Sequence, residues 1–555
     1  MYKQLRFVLL LFFAASLFAV PPAPGISNKG MPKDSVKRIP RENELKAMGY
    51  SPAQIKKALS NALGIKKLAV IFVNFSDVKF TEAGGSGGSI ATYISPAATS
   101  STITTQTGLL KNLVDYVTEV SYGNMILEIT PFTNGGTGYT IAANNEAFYG
   151  ANNEANVVNA QLFKDAVSLA GSTVTNTNYD ALMVVHAGIG EESSNDGSGQ
   201  TISSYVWSVF VEWDTANGTA NGFTEGETVP GKESGILSPF GVLCHEFGHQ
   251  LGLPDLYQTV DPSNSRVGKW DLMDYGAWVN NGANPPHFSS WCKALINWIT
   301  PVNQTSSSIL TLNAFDSASG NCFKVPILSS SVEYFLFEYR RKAGFDSFLP
   351  GEGVLVWHID DSVGSITTND INNGTIFRVS IEEQDNDGDA GYGSHGEAGD
   401  TFSLTGQSFI TPQSDSYTGG PSKITLSDFA GSGTAVMTAK LFSIPATTNI
   451  AFDKLFNYPN PVKGAASSTI RAVFSRNVTS AVLKLYTISG ELVLENTLTQ
   501  NDAVSSANNE WVYEYIWDLK NSSGSAVGSG IYVYVISAKV NAQTQTKTGK
   551  IAIIR

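Results

Sequence analysis

Residues 245–255 read His-Glu-Phe-Gly-His-Gln-Leu-Gly-Leu-Pro-Asp. His245 and His249 are four apart, which on a helix puts both imidazoles on one face. Two imidazoles so placed can hold Zn²⁺, with Glu246 beside the metal as a general base. Gly252 can leave the helix in a backbone conformation that other residues resist. That exit lets Asp255 fold back as a third ligand. The fourth position stays open for water, the layout of a catalytic zinc site rather than a structural one. The chain has only six histidines. An amphipathic helix with two surface histidines would not explain Glu246, Gly252 and Asp255 together.

These side chains need a helix and a sheet to hold them. Ser238 is a plausible N-cap and Pro239 suits the first helical position. Cys244 precedes His245, points off the metal face and reads as a small buried side chain. Leu68–Phe75 is a buried-strand run and opens the main domain. Leu109–Val120 and Glu154–Ala170 have helical spacing, while Met125–Ile129, Ala181–His186 and Tyr205–Phe210 read as strands. Strands alternating with helices predict an α/β domain. His186 ends a strand expected to line the cleft, as a substrate contact or a structural histidine. His287, His358 and His395 read as structural. After Thr300 short β runs follow (Ser308–Leu312, Tyr334–Tyr339, Gly353–Ile359, Phe377–Glu382). From Ala451 to Arg555 the strands are evenly spaced, which suits an Ig-like sandwich.

Lys3 and Arg6 precede an apolar run, Phe7 to Phe18, with a small residue, Ala19, at a cleavage position: a signal peptide over 1–20. Residues 21–65 carry six prolines, Pro21, Pro22, Pro24 and Pro40 among them, and read as a leader or propeptide, and their lack of cysteine excludes a thiol as the group blocking the zinc. No later stretch is long and apolar enough to span a bilayer. The net charge of −13, without a long basic run, argues against nucleic acid and anionic membranes as partners. Three cysteines make no disulfide framework, although Cys292 and Cys322 have the option of pairing in an oxidising compartment. Asp385, Asp387 and Asp389 are spaced like part of a Ca²⁺ loop, or like a solvated acidic turn.

The zinc string resembles the metzincin pattern HExxHxxGxx(H/D), and within it the immune inhibitor A family of secreted bacterial metallopeptidases, where Asp takes the third position. Tyr116–Gly123, Tyr179–Gly188, Lys269–Trp278, His287–Trp298 and Glu352–Asp360 resemble further segments of that family. The resemblance implies a Met-turn at Met273, packing beneath the zinc. It makes Tyr275 a candidate contact to the metal or the oxyanion, and Tyr179–Gly188 the edge strand along which, near His186, an extended polypeptide would lie. Tyr458-Pro459-Asn460-Pro461, Gly530-Ile531-Tyr532 and the closing Lys550–Arg555 resemble the C-terminal sorting domain of type IX secretion cargo. A generic Ig-like adhesion module has the same fold.

The expected organisation is a signal peptide (1–20), a leader (21–65), a metzincin-like α/β zinc peptidase domain (66–300), a β-rich domain (301–443) and an Ig-like sorting domain (444–555). The implied partners are polypeptide substrates and secretion machinery. The expected activity is zinc-dependent endoproteolysis outside the cell, with Glu246 as base. The alternative is an adhesion or binding protein built on a metallopeptidase scaffold.

Overall fold

A computed structural model describes residues 17–24, 62–81, 85–95, 102–103, 106–150, 156–213, 215–262, 265–318, 320–327, 330, 332–386, 395–417, 422–443, 452–474, 478–501, 504, 511–540 and 543–555. Nearly all of the expected leader lies outside these residues. The described chain is β-rich, with mixed sheets and few helices.

The first sheet is built from β1 (Leu17–Ala19), β2 (Gly64–Asn74), β3 (Met125–Phe132), β4 (Tyr139–Thr140), β5 (Ala181–Ile189), β6 (Val209–Glu212) and β7 (Glu225–Lys232). Its order is β1-β6-β7-β5-β2-β3, with β4 also on β2. The run from β2 to β7 through β5 is parallel, while β6 and β1 are added antiparallel. A parallel strand inside such a sheet is covered on both faces, so it reads as an unbroken apolar run. β2 shows how one run serves two cores. Leu68, Val70 and Phe72 enter one cluster, and Ala69, Ile71 and Val73 enter the other. This is the two-residue alternation of a strand.

Helix α1 (Leu109–Val120) turns Leu110, Leu113, Tyr116, Val117 and Val120 inward. It shares its core with α3 (Phe240–Gln250), which carries the zinc string. Helix α2 (Asn156–Ala170) covers the opposite face of the sheet with Ala160, Phe163 and Val167. A short α4 (Ser290–Leu295) follows, capped by Ser289, whose Oγ accepts from the Cys292 N–H.

Eight further strands follow: β8 (Val302–Asn303), β9 (Ser308–Asn313), β10 (Cys322–Pro326), β11 (Glu333–Arg340), β12 (Gly353–Asp360), β13 (Val379–Ile381), β14 (Ile424–Ala430) and β15 (Val436–Ser443). They form a five-stranded and a three-stranded sheet. β11 and β12 are buried along their whole length because they too divide their side chains. Leu336, Leu355 and Trp357 join the core of α3, while Phe335, Phe337, Val354 and Val356 face the three-stranded sheet. The helix that carries His245 and His249 therefore has its hydrophobic support on both sides of residue 300. Residues 452–555 form a four-stranded and a five-stranded sheet around a core of their own, including Ile470, Leu483, Trp517, Tyr534 and Ile551.

Two expectations need correction. Tyr179–Gly188 does not hold an edge strand: β5 lies between β2 and β7. The zinc helix begins at Phe240, with Pro239 rather than Ser238 at the N-cap, and the Ser238 Oγ accepts from the Phe240 N–H at 3.3 Å. The pairing of Cys292 with Cys322, which the sequence leaves open, is not made: all three cysteines are buried free thiols.

His186 sits fully buried against Phe75, with ring centroids 5.8 Å apart. It does not line a cleft. Burial lowers its pKa to about 4, against the small upward pull of the Ala187 carbonyl. The unfolded imidazole titrates near 6.5. Between these values the unfolded state binds the extra proton, so stability is full above about pH 6.5 and falls as the pH drops toward about 4. His186→Phe is expected to flatten that decline. Urea midpoints of the variant and the parent at pH 4.5 and 7 check it, the parent losing more on acidification, by about 3 kcal/mol at most.

Candidate metal centre

Helix α3 places His245, Glu246 and His249 in complete burial, and a tight exit carries Asp255 back to them. Gly252 makes that exit at φ +95°. His245 Nε2 lies 3.1 Å from Asp255 Oδ1, His249 Nε2 lies 3.4 Å from the same oxygen, and the two Nε2 atoms are 3.2 Å apart. Donor atoms about 2.0–2.1 Å from a tetrahedral Zn²⁺ stand about 3.3 Å from one another. The three atoms thus already outline one face of a zinc tetrahedron. Among the described residues this is the one group of three or more potential ligands close enough to share an ion.

The atoms behind them fit the same purpose. His245 Nδ1 is 2.8 Å from the Leu272 carbonyl and His249 Nδ1 is 2.8 Å from the Leu253 carbonyl. Each carbonyl requires a proton on Nδ1, which leaves the Nε2 lone pair free for a metal. Burial holds the His249 pKa below its usual value despite the neighbouring Asp255 carboxylate. Burial pushes Asp255 upward, but His249 and His245 outweigh it and keep the carboxyl below its ordinary range. A neutral imidazole and an ionised carboxylate are the forms that bind a metal.

Asp255 is aimed by a residue far along the chain. Asn369 Nδ2 donates to Asp255 Oδ2 at 2.6 Å, and Asn369 Oδ1 accepts the Asp255 N–H at 2.9 Å. Asn369 follows a 3₁₀ turn, Ile366–Thr368, in the β-rich region and has φ +49°. Its role was not legible in the sequence: 114 residues separate the pair, and no local spacing marks it. Asn369→Ala is expected to weaken zinc binding about 10–100-fold, as loss of a group that orients a ligand does. Competition with a chromogenic chelator measures it.

The floor beneath the imidazoles comes from the expected Met-turn segment. Met273 is fully buried, and its carbonyl accepts the Leu256 N–H at 2.9 Å. A Cβ on Gly248, between the two histidines, would lie 2.5 Å from the Met273 sulfur. The glycine therefore lets the thioether press against the helix. Tyr275 is not brought to the trio. Its hydroxyl donates to the Pro262 carbonyl at 3.2 Å, and its ring stacks on His395 at 3.6 Å. Of the possible calcium ligands, Asp387 and Asp389 lie outside the described residues, and Asp385 packs against Gly399. His287 bonds Glu119 and Lys293, and His358 lies between Glu333 and Glu382, so both act structurally.

Glu246 has a different setting. Its Oε1 accepts the Val20 N–H at 3.1 Å, and its Oε2 has no partner among the described residues. Burial raises its pKa well above the carboxylate range, and the nearby Asp255, Glu227 and Glu192 charges add to the rise. A carboxyl so poised can both accept and return a proton. The chain bonded to it is the N-terminal segment. β1 lies on β6, and the following residues continue across the centre. Trp207 Nε1 donates to the Val20 carbonyl at 3.1 Å, Trp278 Nε1 to the Pro21 carbonyl at 3.0 Å, and the Ala23 N–H to the Glu192 carbonyl at 2.9 Å.

Comparison with known proteins agrees with this geometry. Residues 174–299 match the family model described as immune inhibitor A peptidase M6, catalytic domain. The chain is similar to the pre-pro-metalloprotease PrtV of Vibrio cholerae, 29% identical over 184 residues, which cover 28% of this chain and 19% of that protein. It is also similar to immune inhibitor A of Bacillus thuringiensis, 33% identical over 124 residues, 20% of this chain and 17% of the relative. The chain thus spans about a fifth of the length of the curated relatives it matches. Among solved structures, dimeric latent PorU from Porphyromonas gingivalis aligns over 22% of this chain and 11% of its own at 20% identity, with a TM-score of 0.17 that bears no weight. The stretch that supplies His245, Glu246, His249, Asp255 and Met273 is the one that matches the peptidase M6 catalytic-domain model.

Proposed function

We propose that this chain is a secreted zinc-dependent endopeptidase acting on extracellular proteins. One observation carries the reading: three buried ligand atoms 3.1–3.4 Å apart, with a carboxyl, Glu246, next to them in sequence and facing a peptide N–H. His245, His249 and Asp255 would hold the ion. Zinc, when bound, supplies Lewis acidity toward a water and a carbonyl. Glu246 takes the water's proton and hands it to the departing amine. Val20 N–H, 3.1 Å from Oε1, marks where that nitrogen stands.

The N-terminal apolar run supports export, and the C-terminal pair of sheets supports a sorting module, Ig-like in kind, read by secretion machinery. No helix among the described residues is long and apolar enough to cross a membrane. The test is casein hydrolysis by protein recovered from the culture medium. Hydrolysis should stop with a zinc chelator and return with added zinc; undiminished hydrolysis in the chelator refutes the proposal.

A further inference from the structure

The N-terminal segment crosses the candidate metal centre as a chain held at Glu246 through its backbone. β1 is the edge strand of the sheet and runs antiparallel to β6, pairing Leu17 with Val211, Phe18 with Phe210 and Ala19 with Val209. The next N–H, that of Val20, is the one on Glu246. On the far side of that nitrogen the chain is held by its main chain rather than by its side chains. Two successive carbonyls, those of Val20 and Pro21, each receive an indole N–H, and two residues later Ala23 donates to the Glu192 carbonyl.

We propose that Trp207 and Trp278 are the substrate-binding residues of the leaving-group side. The residue whose amine departs takes the place of Val20 and gives its carbonyl to Trp207, and the following residue gives its carbonyl to Trp278. This rests on the endopeptidase reading and deepens it.

Three features support the assignment. Both indoles are almost fully buried with the segment in place, at 3% and 4% exposure. A buried indole N–H without an acceptor is costly, so these two donors call for a chain carrying carbonyls at this spacing. The occupants are chemically selective: Pro21 and Pro22 have no N–H, so neither of these positions demands a donor from a substrate. Selectivity then concentrates on the residue at Val20's place, whose side chain is completely buried and whose pocket suits a medium aliphatic group.

The experiment uses the zinc protein recovered from the culture medium, after removal of the expected signal peptide and leader whose residues fill the groove here, and an internally quenched peptide, Leu-Phe-Ala-Val-Ala-Pro-Ala, which follows residues 17–23 with Ala at Pro21's place. A second peptide replaces that Ala by lactic acid, so the preceding carbonyl becomes an ester and a weaker acceptor. Cleavage is expected between Ala and Val. Trp207→Phe and Trp278→Phe, which keep an aromatic ring and lose the donor, should each raise KM about three- to tenfold with kcat little changed, as loss of uniform binding does. The ester should raise KM for the parent and leave Trp207→Phe almost unmoved, a coupling that a merely structural tryptophan would not produce. If a variant fails to fold, the ester comparison on the parent still decides: equal KM for the two peptides overturns the proposal. Cleavage at another bond, or unchanged constants in both folded variants, overturns it while casein hydrolysis leaves the endopeptidase reading standing. A parent that cuts neither casein nor peptide overturns both.

Discussion

Glu246→Gln reduces hydrolysis of casein by about 10²–10⁴-fold, the range that a positioned proton-transfer group contributes. Zinc is retained. The substitution is nearly isosteric in a site with no exposed surface. Its amide oxygen can still accept the N–H that Val20 now donates to Oε1, so peptide placement is preserved. What is lost is a group able to take and return a proton. His245, His249 and Asp255 keep their partners Leu272, Leu253 and Asn369, none of which touches Glu246. The expected pattern is therefore a fall in kcat with little change in KM and a metal content equal to that of the parent. Steady-state kinetics and metal analysis on the same preparation check it. A variant with full activity would remove Glu246 from the chemistry and end the hydrolase reading. A variant that loses its zinc would show that the residue acts on the fold of α3 instead.

The second large effect lies outside the trio. Arg340, at the end of β11, is fully buried. Its Nε and Nη2 form a fork on Asp346 at 2.6 and 2.5 Å, and Nη1 reaches Glu338 at 3.2 Å. The same guanidinium donates to the carbonyls of Trp270 and His287 at 2.9 and 3.1 Å. Those two residues flank the segment containing Met273, so the β-rich region clamps the floor of the metal centre. Arg340→Met leaves two buried carboxyls and two carbonyls without their donor. Breaking a buried pair from one side costs about 3–5 kcal/mol. Chemical denaturation should show a correspondingly lower midpoint, with zinc affinity falling alongside. Replacing Asp346 by Leu in the same chain should recover part of the loss, since it removes the uncompensated charge.

The legible parts of this molecule are those set by local repetition. Leu109–Val120 is a helix over the very residues its three-and-four spacing indicates, because five inward positions repeat without interruption. The juxtaposition of His245 and His249 follows from a single helical turn, and that of Asp255 from a glycine that breaks it. What escaped is set by distant pairing. β5 has the composition of any buried strand, and nothing within it says that β7 and β6 lie beyond it. Tyr275 sits at a suggestive offset from Met273, but the path of the chain turns its hydroxyl to Pro262. Ser238 and Pro239 both favour a helix start, and the choice between them turned on one residue of backbone geometry. The boundary at 300 follows a change in composition, yet β11 and β12 fill the same core as α3.

The bond between Asn369 and Asp255 ties the candidate metal centre to a region that supplies none of its three clustered donors. Binding energy at such a site is also folding energy for whatever must be ordered to form it. Occupancy of the centre and order in the turn at Ile366–Thr368 are therefore linked quantities, each strengthening the other. A fragment ending at residue 299 would hold His245, Glu246, His249 and Asp255, and still lack the group that aims the Asp255 carboxylate. For this chain, ligand inventory and metal competence are separate properties, and the second is inherited from sequence far downstream of the first.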